Sequence, residues 1–442
     1  MKLIAPPLKK IDELIGKQKE LSGKPTRLTT CCEAAECGEG LLLYHTLTGT
    51  MALVPPEAEW TAEDRTQLSD NWYLVEAGFD EHQFVDEVHK ILRMTQCLGE
   101  ARTDFTILTT TACNARCYYC YEKGVQGSFM TSETGRDTAE YMMRVSKEKP
   151  ISIRWFGGEP LYHRKAIEII CGALNREGVQ FQSSMVSNGY YLEEETVRRA
   201  KEDWHLRKVQ ITLDGTEDHY NRVKAYIDRT DATSPFQRVL RNIRGAADAG
   251  IQVTIRLNMD RKNAADLRVL TDQLIKRFEG NKQIGVYPAL LQPFAGKVHG
   301  YATAQEAIRD YDAIAEKLEM HGLRKEAALY RSIRVNRCMA DSDHSEVILP
   351  DGRIGRCEHF SEDMITGSLY DGERNAGVIK AWKEPLTEPE CGQCSLYPIC
   401  TRLKKCQWNQ DGCPEAERMI AKRTLQRQML RAYLASKAEG KS

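Results

Sequence analysis

The chain has 442 residues, and its 62 Lys and Arg against 63 Asp and Glu give a formal charge of -1. Without a basic excess, we expect neither nucleic acid nor an anionic membrane as a partner. No apolar run approaches the ~18 residues that span a bilayer. The N-terminus also lacks the apolar core of a signal peptide, which predicts a cytoplasmic protein. Fifteen cysteines in such a chain favour thiolate metal sites over a disulfide framework.

The first hundred residues are predicted to contain a polar lead-in and a small α+β unit. Residues 1 to about 30 are Lys-rich and should be poorly ordered or partly helical. Cys31, Cys32 and Cys37 could bind a metal, but no histidine or fourth cysteine is close by, so a thiol-rich strand edge is the alternative. Two short strands around a Thr-Gly turn at residues 48–49 are then followed by two helices.

Between about Phe105 and His321 the sequence alternates between strand-like and helix-like segments. Amphipathic helices separate the strand-like runs. Six βα repeats imply parallel strands with right-handed crossovers. Because a closed barrel needs eight repeats, we predict an α/β fold with an open, partial (β/α)6 TIM-like barrel and ligands at the carboxyl ends of its strands. The strand-like runs are residues 105–110, 151–156, 179–188, 208–214, 251–259 and 284–291.

The first of these strands is followed by CNARCYYC, which places Cys113, Cys117 and Cys120 on one loop. Three thiolates so close together can hold a cubane iron-sulfur cluster and leave its fourth iron open. The C-x3-C-x2-C spacing, with Tyr119 before the last cysteine, resembles the signature of the radical S-adenosylmethionine (radical SAM) superfamily. The resemblance implies that the open iron binds S-adenosylmethionine and that reductive cleavage gives a 5'-deoxyadenosyl radical. A structural zinc site is the alternative, although zinc prefers four closed ligands.

Other strands of the predicted barrel also end in polar or glycine-rich segments. Two glycines permit a close backbone approach, and a carboxylate suits a cationic ammonium group. The second strand ends in GGEP, which resembles the superfamily segment that meets the methionine amino group of S-adenosylmethionine. The third strand ends in residues that resemble those contacting the cofactor ribose or carboxylate, and the fifth carries a candidate carboxylate partner. The predicted cofactor-binding residues are therefore Tyr119, Gly157, Gly158, Glu159, Pro160, Ser187, Asn188 and Arg256.

The last hundred residues are rich in cysteine. VILPDGRIGRC is predicted to form a hairpin that turns at residues 351–352. The spacing of Cys338 and Cys357 around this hairpin, and the later CGQCSLYPICTRLKKC, resemble the SPASM domain. This extension of radical SAM enzymes carries two auxiliary four-iron clusters. The gap between Cys400 and Cys406 is two residues longer than the usual family spacing.

The resemblance implies a division of these cysteines between the two auxiliary clusters, which gives three 4Fe-4S clusters in all. The first of these sites has no cysteine between Cys338 and Cys357 to complete it. One of its irons could therefore be open and bind a substrate thiolate, or it could take a non-cysteine ligand. Zinc, or a role limited to electron transfer or folding, is the alternative. Glu358 lies where sulfatase-maturating relatives place an acidic base, and a solvated or cluster-shielding carboxylate is the alternative that we favour. The second cluster would be held by Cys391, Cys394, Cys400 and Cys413, and the first by Cys338, Cys357 and Cys406.

These features predict a radical SAM enzyme with a C-terminal SPASM domain that modifies a ribosomally made peptide. Residues 1–100 would form the lead-in and a precursor-recognition domain, which resembles winged-helix-like modules that bind a leader peptide as an added strand. A packing extension without a ligand is the alternative for this segment. Residues 101–325 would form the barrel, and 326–442 the SPASM domain with a terminal helix. A thioether crosslink is the expected product, and a flavodoxin or ferredoxin the expected electron donor. Formylglycine formation, a carbon-carbon crosslink and a non-catalytic iron-sulfur carrier or sensor are the alternatives.

Overall fold

The computed structural model describes residues 1–18, 21, 23–96, 101–228, 232–291, 300–324, 329, 336–359, 361–372, 374–409 and 412–439. The chain divides into two compact units. The terminal unit comprises Met1–Leu98, Glu326–Cys338 and Pro385–Ser442, and the barrel unit comprises Gly99–Lys325 and Met339–Glu384. No helix in the described ranges combines the length and hydrophobicity that crossing a membrane requires.

The amino-terminal part of the terminal unit contains two antiparallel sheets and three helices. The strands are β1 (Lys2–Ala5), β2 (Thr26–Leu28), β3 (Cys32–Cys37), β4 (Gly40–His45), β5 (Met51–Val54) and β6 (Leu74–Glu76), and the helices are α1 (Lys9–Ile15), α2 (Ala62–Asp70) and α3 (Glu81–Gln96). One sheet has the order β1-β5-β4-β3, and β2 pairs with β6. The predicted hairpin around residues 48–49 is therefore present. α2 begins with a capping box, in which Thr61 and Asp64 each accept a backbone hydrogen bond from the other.

The lead-in, predicted to be poorly ordered or partly helical, contains the helix α1, but its first residues form a strand instead. Lys2 and Leu3 lie opposite Leu53 and Ala52, so β1 forms one edge of the four-stranded sheet. The sequence did not indicate this strand because four residues carry too little of an alternating pattern to distinguish a strand from a coil.

The barrel unit is built on six parallel strands, which confirms the predicted partial barrel. The strands are β7 (Asp104–Leu108), β8 (Ile151–Phe156), β9 (Phe181–Ser187), β10 (Leu206–Leu213), β11 (Gln252–Met259) and β12 (Ile284–Leu290). Their spatial order follows the order along the chain, and every neighbouring pair is parallel. The connecting helices are α4 (Ser132–Ser146), α5 (Arg164–Arg176), α6 (Glu194–Glu202), α7 (Glu217–Lys224), α8 (Pro235–Asp248), α9 (Ala264–Phe278) and α10 (Ala304–Met320).

The two faces of this parallel sheet differ in polarity. Trp155, Ile211 and Ile255 lie on one face and are fully buried. Alternate positions on the other face, such as Arg154 and Gln210, keep some exposure. Since side chains alternate along a strand, one face builds the core with the helices and the other lines the inside of the barrel. The helices contribute the apolar positions that their periodicity predicts, with Ile167, Ile170 and Leu174 of α5 and Val239, Ile243 and Ala246 of α8 fully buried.

Three further strands extend the sheet beyond β7. β13 (Ser345–Ile348) runs parallel to β7, and β14 (Arg353–Gly355) and β15 (Ile365–Ser368) continue it as antiparallel neighbours, followed by α11 (Ala376–Ala381). The predicted hairpin at residues 351–352 is therefore present. The sheet has nine strands in the order β12-β11-β10-β9-β8-β7-β13-β14-β15.

The chain ends in a long helix that belongs to the terminal unit. This helix, α12 (Glu415–Glu439), packs on the amino-terminal sheet. Met429 and Tyr433 form one apolar cluster with Leu42 and Tyr44. Gln426 donates a hydrogen bond of 2.8 Å to the buried Glu33 of β3. The two ends of the chain therefore share one core.

Candidate active site

The cysteine loop follows β7 at the carboxyl edge of the parallel sheet. Cys113, Cys117 and Cys120 are free thiols, and the backbone N–H of Ala115 donates to Cys113 Sγ over 3.3 Å. Burial raises the pKa of Cys113 to about 12, and the charges of Glu159, Cys117 and Cys120 add to this effect. These thiols therefore keep their protons until a metal competes for them. Three soft donors on one loop suit an iron-sulfur cluster.

The described residues contain no group of three or more His, Cys, Asp or Glu side chains already gathered around a metal position. The assignment of the loop as a cluster site rests on its spacing, its place after β7 and the groups that support it.

Tyr119 turns its hydroxyl group into a buried polar network behind the cysteine loop. This hydroxyl donates to Asp214 Oδ1 over 2.6 Å and accepts from Lys224 Nζ at 3.1 Å and Asn258 Nδ2 at 3.0 Å. Lys224 and Asp214 form an ion pair of 3.0 Å. Burial alone would lower the pKa of Lys224, but the charges of Asp214, Cys117, Tyr119 and Tyr220 together outweigh burial and hold that pKa well above its usual value. The sequence predicted a cofactor role for Tyr119 and gave no indication of this network.

The two glycines of GGEP are required by the backbone of the cysteine loop. Gly157 has φ +123°, and a Cβ atom there would lie 2.2 Å from the carbonyl oxygen of Thr110. A Cβ atom on Gly158 would lie 2.4 Å from the carbonyl oxygen of Ala112. The N–H of Gly158 donates to that Thr110 oxygen over 3.1 Å. The close approach inferred from the sequence is therefore present, and its partner is the protein itself.

Glu159 joins the second strand to the third. Its carboxylate is fully buried and accepts from Ser187 Oγ at 2.8 Å, from the N–H of Asn188 at 2.7 Å and from the N–H of Leu161 at 3.1 Å. Burial raises the pKa of Glu159 to about 7, although these three donors oppose the shift. A ligand could reach the carboxylate only after the surrounding contacts rearrange, so its predicted contact with S-adenosylmethionine stays a prediction.

Asn188 links this turn to the cysteine loop. Its Nδ2 donates to Asn114 Oδ1 over 2.8 Å and lies 3.9 Å from Cys113 Sγ. The structure therefore brings the cysteine loop, GGEP and the end of β9 into one hydrogen-bonded group, as expected of segments that follow neighbouring parallel strands. The cofactor roles of Ser187 and Asn188 stay predictions.

Arg256 lies on the inner face of β11, with Thr212 of β10 and Tyr287 of β12 opposite it. Its Nε is buried and has no hydrogen-bond partner, and it forms no ion pair within the described part of the chain. The hydroxyl of Tyr287 interacts with its guanidinium group by a hydrogen bond. The guanidinium group of Arg256 can therefore bind an anionic group inside the barrel. Arg256 lies two positions before Asn258 on the same strand, and Asn258 donates a hydrogen bond to Tyr119.

Cys357 and Glu358 lie near the far end of the cysteine loop. Cys357 Sγ donates to Glu358 Oε2 over 3.8 Å, and the ring of His359 packs edge-on to Tyr121, with centroids 4.1 Å apart. Burial raises the pKa of Tyr121, and the charges of Glu122, Glu358, Cys120 and Cys357 add to that effect. The predicted base, Glu358, is therefore close to the loop.

Glu122, which the sequence did not indicate, is a third buried carboxyl group beside the cysteine loop, after Glu159 and Asp214. Burial raises its pKa to about 7, against the opposing hydrogen bond from Tyr121. A lone Glu after the last cysteine of a motif gives no sign of burial in the sequence.

Four of the carboxyl-terminal cysteines lie close together in the terminal unit. Burial raises the pKa of Cys391, and the charges of Cys400, Cys394 and Cys413 add to it. These are the four cysteines that the SPASM resemblance assigns to the second auxiliary cluster. Arg337 supports their loop by donating to the carbonyl oxygens of Tyr397 and Cys400 over 3.2 and 3.1 Å.

The first auxiliary cluster stays a prediction. Cys338 and Cys406 belong to the terminal unit, and Cys357 belongs to the barrel unit. Cys31 precedes the edge strand β3, and Cys32 and Cys37 lie on it. Their placement agrees with a thiol-rich strand edge.

Comparison with known proteins relates the barrel unit to one family. Residues 107–274 match the family model described as Radical SAM superfamily. A probable GTP 3',8-cyclase of Methanopyrus kandleri is 28% identical over 308 residues, which cover 68% of this chain and 89% of that protein. A probable GTP 3',8-cyclase of Saccharolobus solfataricus is 25% identical over 228 residues, which cover 50% of this chain and 66% of that protein.

Solved structures share the fold over a larger part of the chain. Native anSMEcpe with bound AdoMet and Cp18Cys peptide has a TM-score of 0.55 and 15% identity, and the match covers 76% of this chain and 99% of that one. Streptococcus suis SuiB bound to precursor peptide SuiA has a TM-score of 0.52 and 12% identity, with 85% and 95% covered. At such identities the likeness establishes a shared fold.

Proposed function

Because its barrel unit belongs to the radical SAM superfamily, the chain is an enzyme of that superfamily, and we propose that it forms a thioether crosslink in a ribosomally made precursor peptide. The observation that carries the proposal is the meeting of the cysteine loop, GGEP and the end of β9 at one edge of the parallel sheet. When bound at Cys113, Cys117 and Cys120, a 4Fe-4S cluster would pass an electron to S-adenosylmethionine and so generate the 5'-deoxyadenosyl radical.

The residues of the barrel would hold S-adenosylmethionine across the carboxyl ends of the strands. We assign its methionine amino group to the GGEP turn and its ribose or carboxylate to Ser187 and Asn188. Arg256 offers a guanidinium group to the carboxylate, since its buried Nε lacks a partner in the described part of the chain. A guanidinium–carboxylate pair is a strong, oriented hydrogen-bonded contact. This arrangement would fix the cofactor before the reaction begins.

A peptide substrate is supported by features outside the barrel. The amino-terminal sheet ends in the edge strands β1 and β3, to which a leader peptide could be added as a further strand. Four neighbouring cysteines, residues 391 to 413, provide the donors for an auxiliary cluster. The names of two structural neighbours include a bound peptide or precursor peptide, which favours the same class of substrate here. We place the reaction in the cytoplasm, with a flavodoxin or ferredoxin as electron donor.

Formylglycine formation is the second candidate, because Glu358 beside Cys357 offers a base near the cysteine loop. The products separate the candidates. A thioether removes two hydrogen atoms and leaves no alkylatable thiol, whereas a carbon-carbon crosslink removes two hydrogen atoms and keeps the thiol. Formylglycine loses the thiol and gains an aldehyde that reacts with a hydrazide.

The test is an anaerobic reconstitution followed by iron and sulfide counting. We expect about twelve irons in the wild type and about eight when Cys113, Cys117 and Cys120 are all changed to Ala, with loss of 5'-deoxyadenosine formation. Cys171→Ala is the control, since this thiol is buried in α5 away from the predicted sites. The substrates to try are any small cysteine-rich peptides that the neighbouring genes encode, with GTP in parallel. Four irons with zinc at the carboxyl-terminal cysteines would overturn the SPASM assignment, and turnover of GTP alone would overturn the peptide substrate.

A further inference from the structure

Lys224 and Asp214 form an ion pair in the interior of the barrel unit, directly behind the cysteine loop. Their side chains are 3% and 1% exposed, and Lys224 Nζ lies 3.0 Å from Asp214 Oδ2. The ammonium group has two further partners, the hydroxyl of Tyr119 at 3.1 Å and that of Thr212 at 2.7 Å. One ion pair and two hydrogen bonds therefore hold the ammonium group in position.

The backbone around Lys224 also forms hydrogen bonds with the backbone of the cysteine loop. The N–H of Arg116 donates to the carbonyl oxygen of Lys224 over 2.7 Å, and the N–H of Ile227 donates to the carbonyl oxygen of Asn114 over 2.9 Å. α7 ends immediately after Lys224, at Ala225, whose φ of 42° is a conformation that residues with a Cβ atom rarely adopt. The end of α7 and the ammonium group thus contact residues 114, 116 and 119 of the loop.

Folding alone does not explain this pair. Two charges removed from water seldom stabilise a protein more than apolar side chains of the same volume would. A bound cluster carries the negative charge of three thiolates, and the net charge and hydrogen bonding around a cluster set its reduction potential. Inside a low-dielectric interior, a nearby ammonium group acts strongly on such a charge.

We propose that the buried Lys224–Asp214 pair positions the cysteine loop and sets the reduction potential of the iron-sulfur cluster bound there. The inference rests on the cluster placement proposed above. Lys224 and Asp214 are positioning residues, since they act through Tyr119 and the loop backbone. Removing the ammonium group leaves a buried negative charge that disfavours the added electron, and removing the carboxylate leaves a positive charge that favours it.

The experiment compares the reconstituted full-length wild type with Lys224→Met, Asp214→Asn and the double variant. Lys208→Met is the matched control, because Lys208 is an exposed lysine at the opposite end of β10. The midpoint potential of the cluster is measured by a dye-mediated titration followed by electron paramagnetic resonance. We expect K224M to shift the potential to a more negative value, D214N to a more positive one, and the double variant and K208M to stay near the wild type.

The rate of iron release to a chelator gives the second readout. K224M, D214N and the double variant should all release iron severalfold faster than the wild type and K208M. Should the charge variants fail to load iron, Tyr119→Phe keeps both charges and removes only the phenol contact, and it should also release iron faster. The inference would be overturned if the midpoint potentials of K224M and D214N shifted in the same direction or did not shift. It would also be overturned if Y119F released iron at the wild-type rate. A wild type that binds no cluster at Cys113, Cys117 and Cys120 would overturn the proposed function as well.

Discussion

Glu159 combines full burial with three hydrogen-bond donors. Burial raises the pKa of its carboxyl group from 4.5 to about 7, because removal of the charge from water outweighs the donors. Between these values the folded protein holds a proton that the unfolded chain has lost. The contribution of Glu159 to the free energy of unfolding should therefore be largest below pH 4.5 and fall as the pH rises to about 7.

Glu159→Gln removes this titration. We expect the urea midpoint of the apoprotein to depend less steeply on pH between about 4.5 and 7 in the variant than in the wild type. Glu177→Gln, at an exposed site after α5, should keep the wild-type dependence. Equal slopes for E159Q and the wild type would show that another group carries the pH dependence.

The glycines of GGEP provide a stability prediction. Gly157→Ala and Gly158→Ala each place a Cβ atom within 2.4 Å of a carbonyl oxygen of the cysteine loop, so each should lower the free energy of unfolding by about 2 to 4 kcal/mol. Gly245→Ala is the control, because it lies in α8 with open space around it and should be neutral or add up to ~1 kcal/mol. Urea unfolding measures all three, and a neutral G158A would contradict the geometry.

The sequence predicted the residue types of the site but not the partners that they meet. The cysteine spacing and GGEP could be recognised because each lies within a few consecutive residues. Tyr119 and Lys224 are 105 positions apart, and no local pattern marks a lysine in a helix as buried. Glu122 was missed for the same reason, since burial depends on what packs over a residue and not on its neighbours in sequence.

At the scale of elements, strands with strong patterns were predicted and short ones were not. The six barrel strands are apolar, β-branched runs flanked by helices, which fixes their type and their parallel order. The pairing of β13 with β7 joins segments more than two hundred residues apart, and its four residues carry no signal of that partner. Side chains support this pairing, since the buried Glu346 of β13 accepts from Tyr141 at 2.5 Å and pairs with Arg102 at 2.9 Å.

Glu346→Gln should weaken the attachment of β13 to the sheet. The change removes the negative charge that pairs with Arg102, and because Arg102 is one third exposed we expect the free energy of unfolding to fall by about 2 kcal/mol rather than by the larger cost of a fully buried pair. Hydrogen exchange should quicken in β13 and β14 before it does in β8 to β11. Glu362→Gln is the control, since that side chain is 84% exposed. Uniform exchange across the sheet would mean that β13 opens only with the whole barrel unit.

At the scale of the whole molecule, the terminal unit is assembled from segments at both ends of the chain. α12 is rich in Lys and Arg, yet its Met429 is fully buried in the cluster with Leu42 and Tyr44. The polar sequence of α12 did not indicate that it packs against the amino-terminal sheet, because only a few apolar side chains, such as Met429 and Tyr433, make that contact. Without a repeat or a motif that connects them, the two ends of a sequence are predicted to be separate domains.

Met429→Ala should test the shared core. Loss of a fully buried methionine costs about 2 to 5 kcal/mol, and hydrogen exchange in β4 and β5 should quicken although the mutation lies in α12. Leu434→Ala, at a position 62% exposed, should leave exchange in these strands unchanged. If M429A destabilised only the helix, the sheet would fold without it.

The shared core also orders events during synthesis. The strands that carry Leu42 and Tyr44 leave the ribosome early, but the helix that covers them is made last. At about 5 to 20 residues per second, translation of the intervening chain takes roughly 20 to 80 s, during which the apolar face of this sheet has no α12 to cover it. The barrel unit, including its cysteine loop, is largely synthesised within that interval. A nascent chain would therefore carry most of the barrel unit while the apolar face of the amino-terminal sheet still lacks its covering helix.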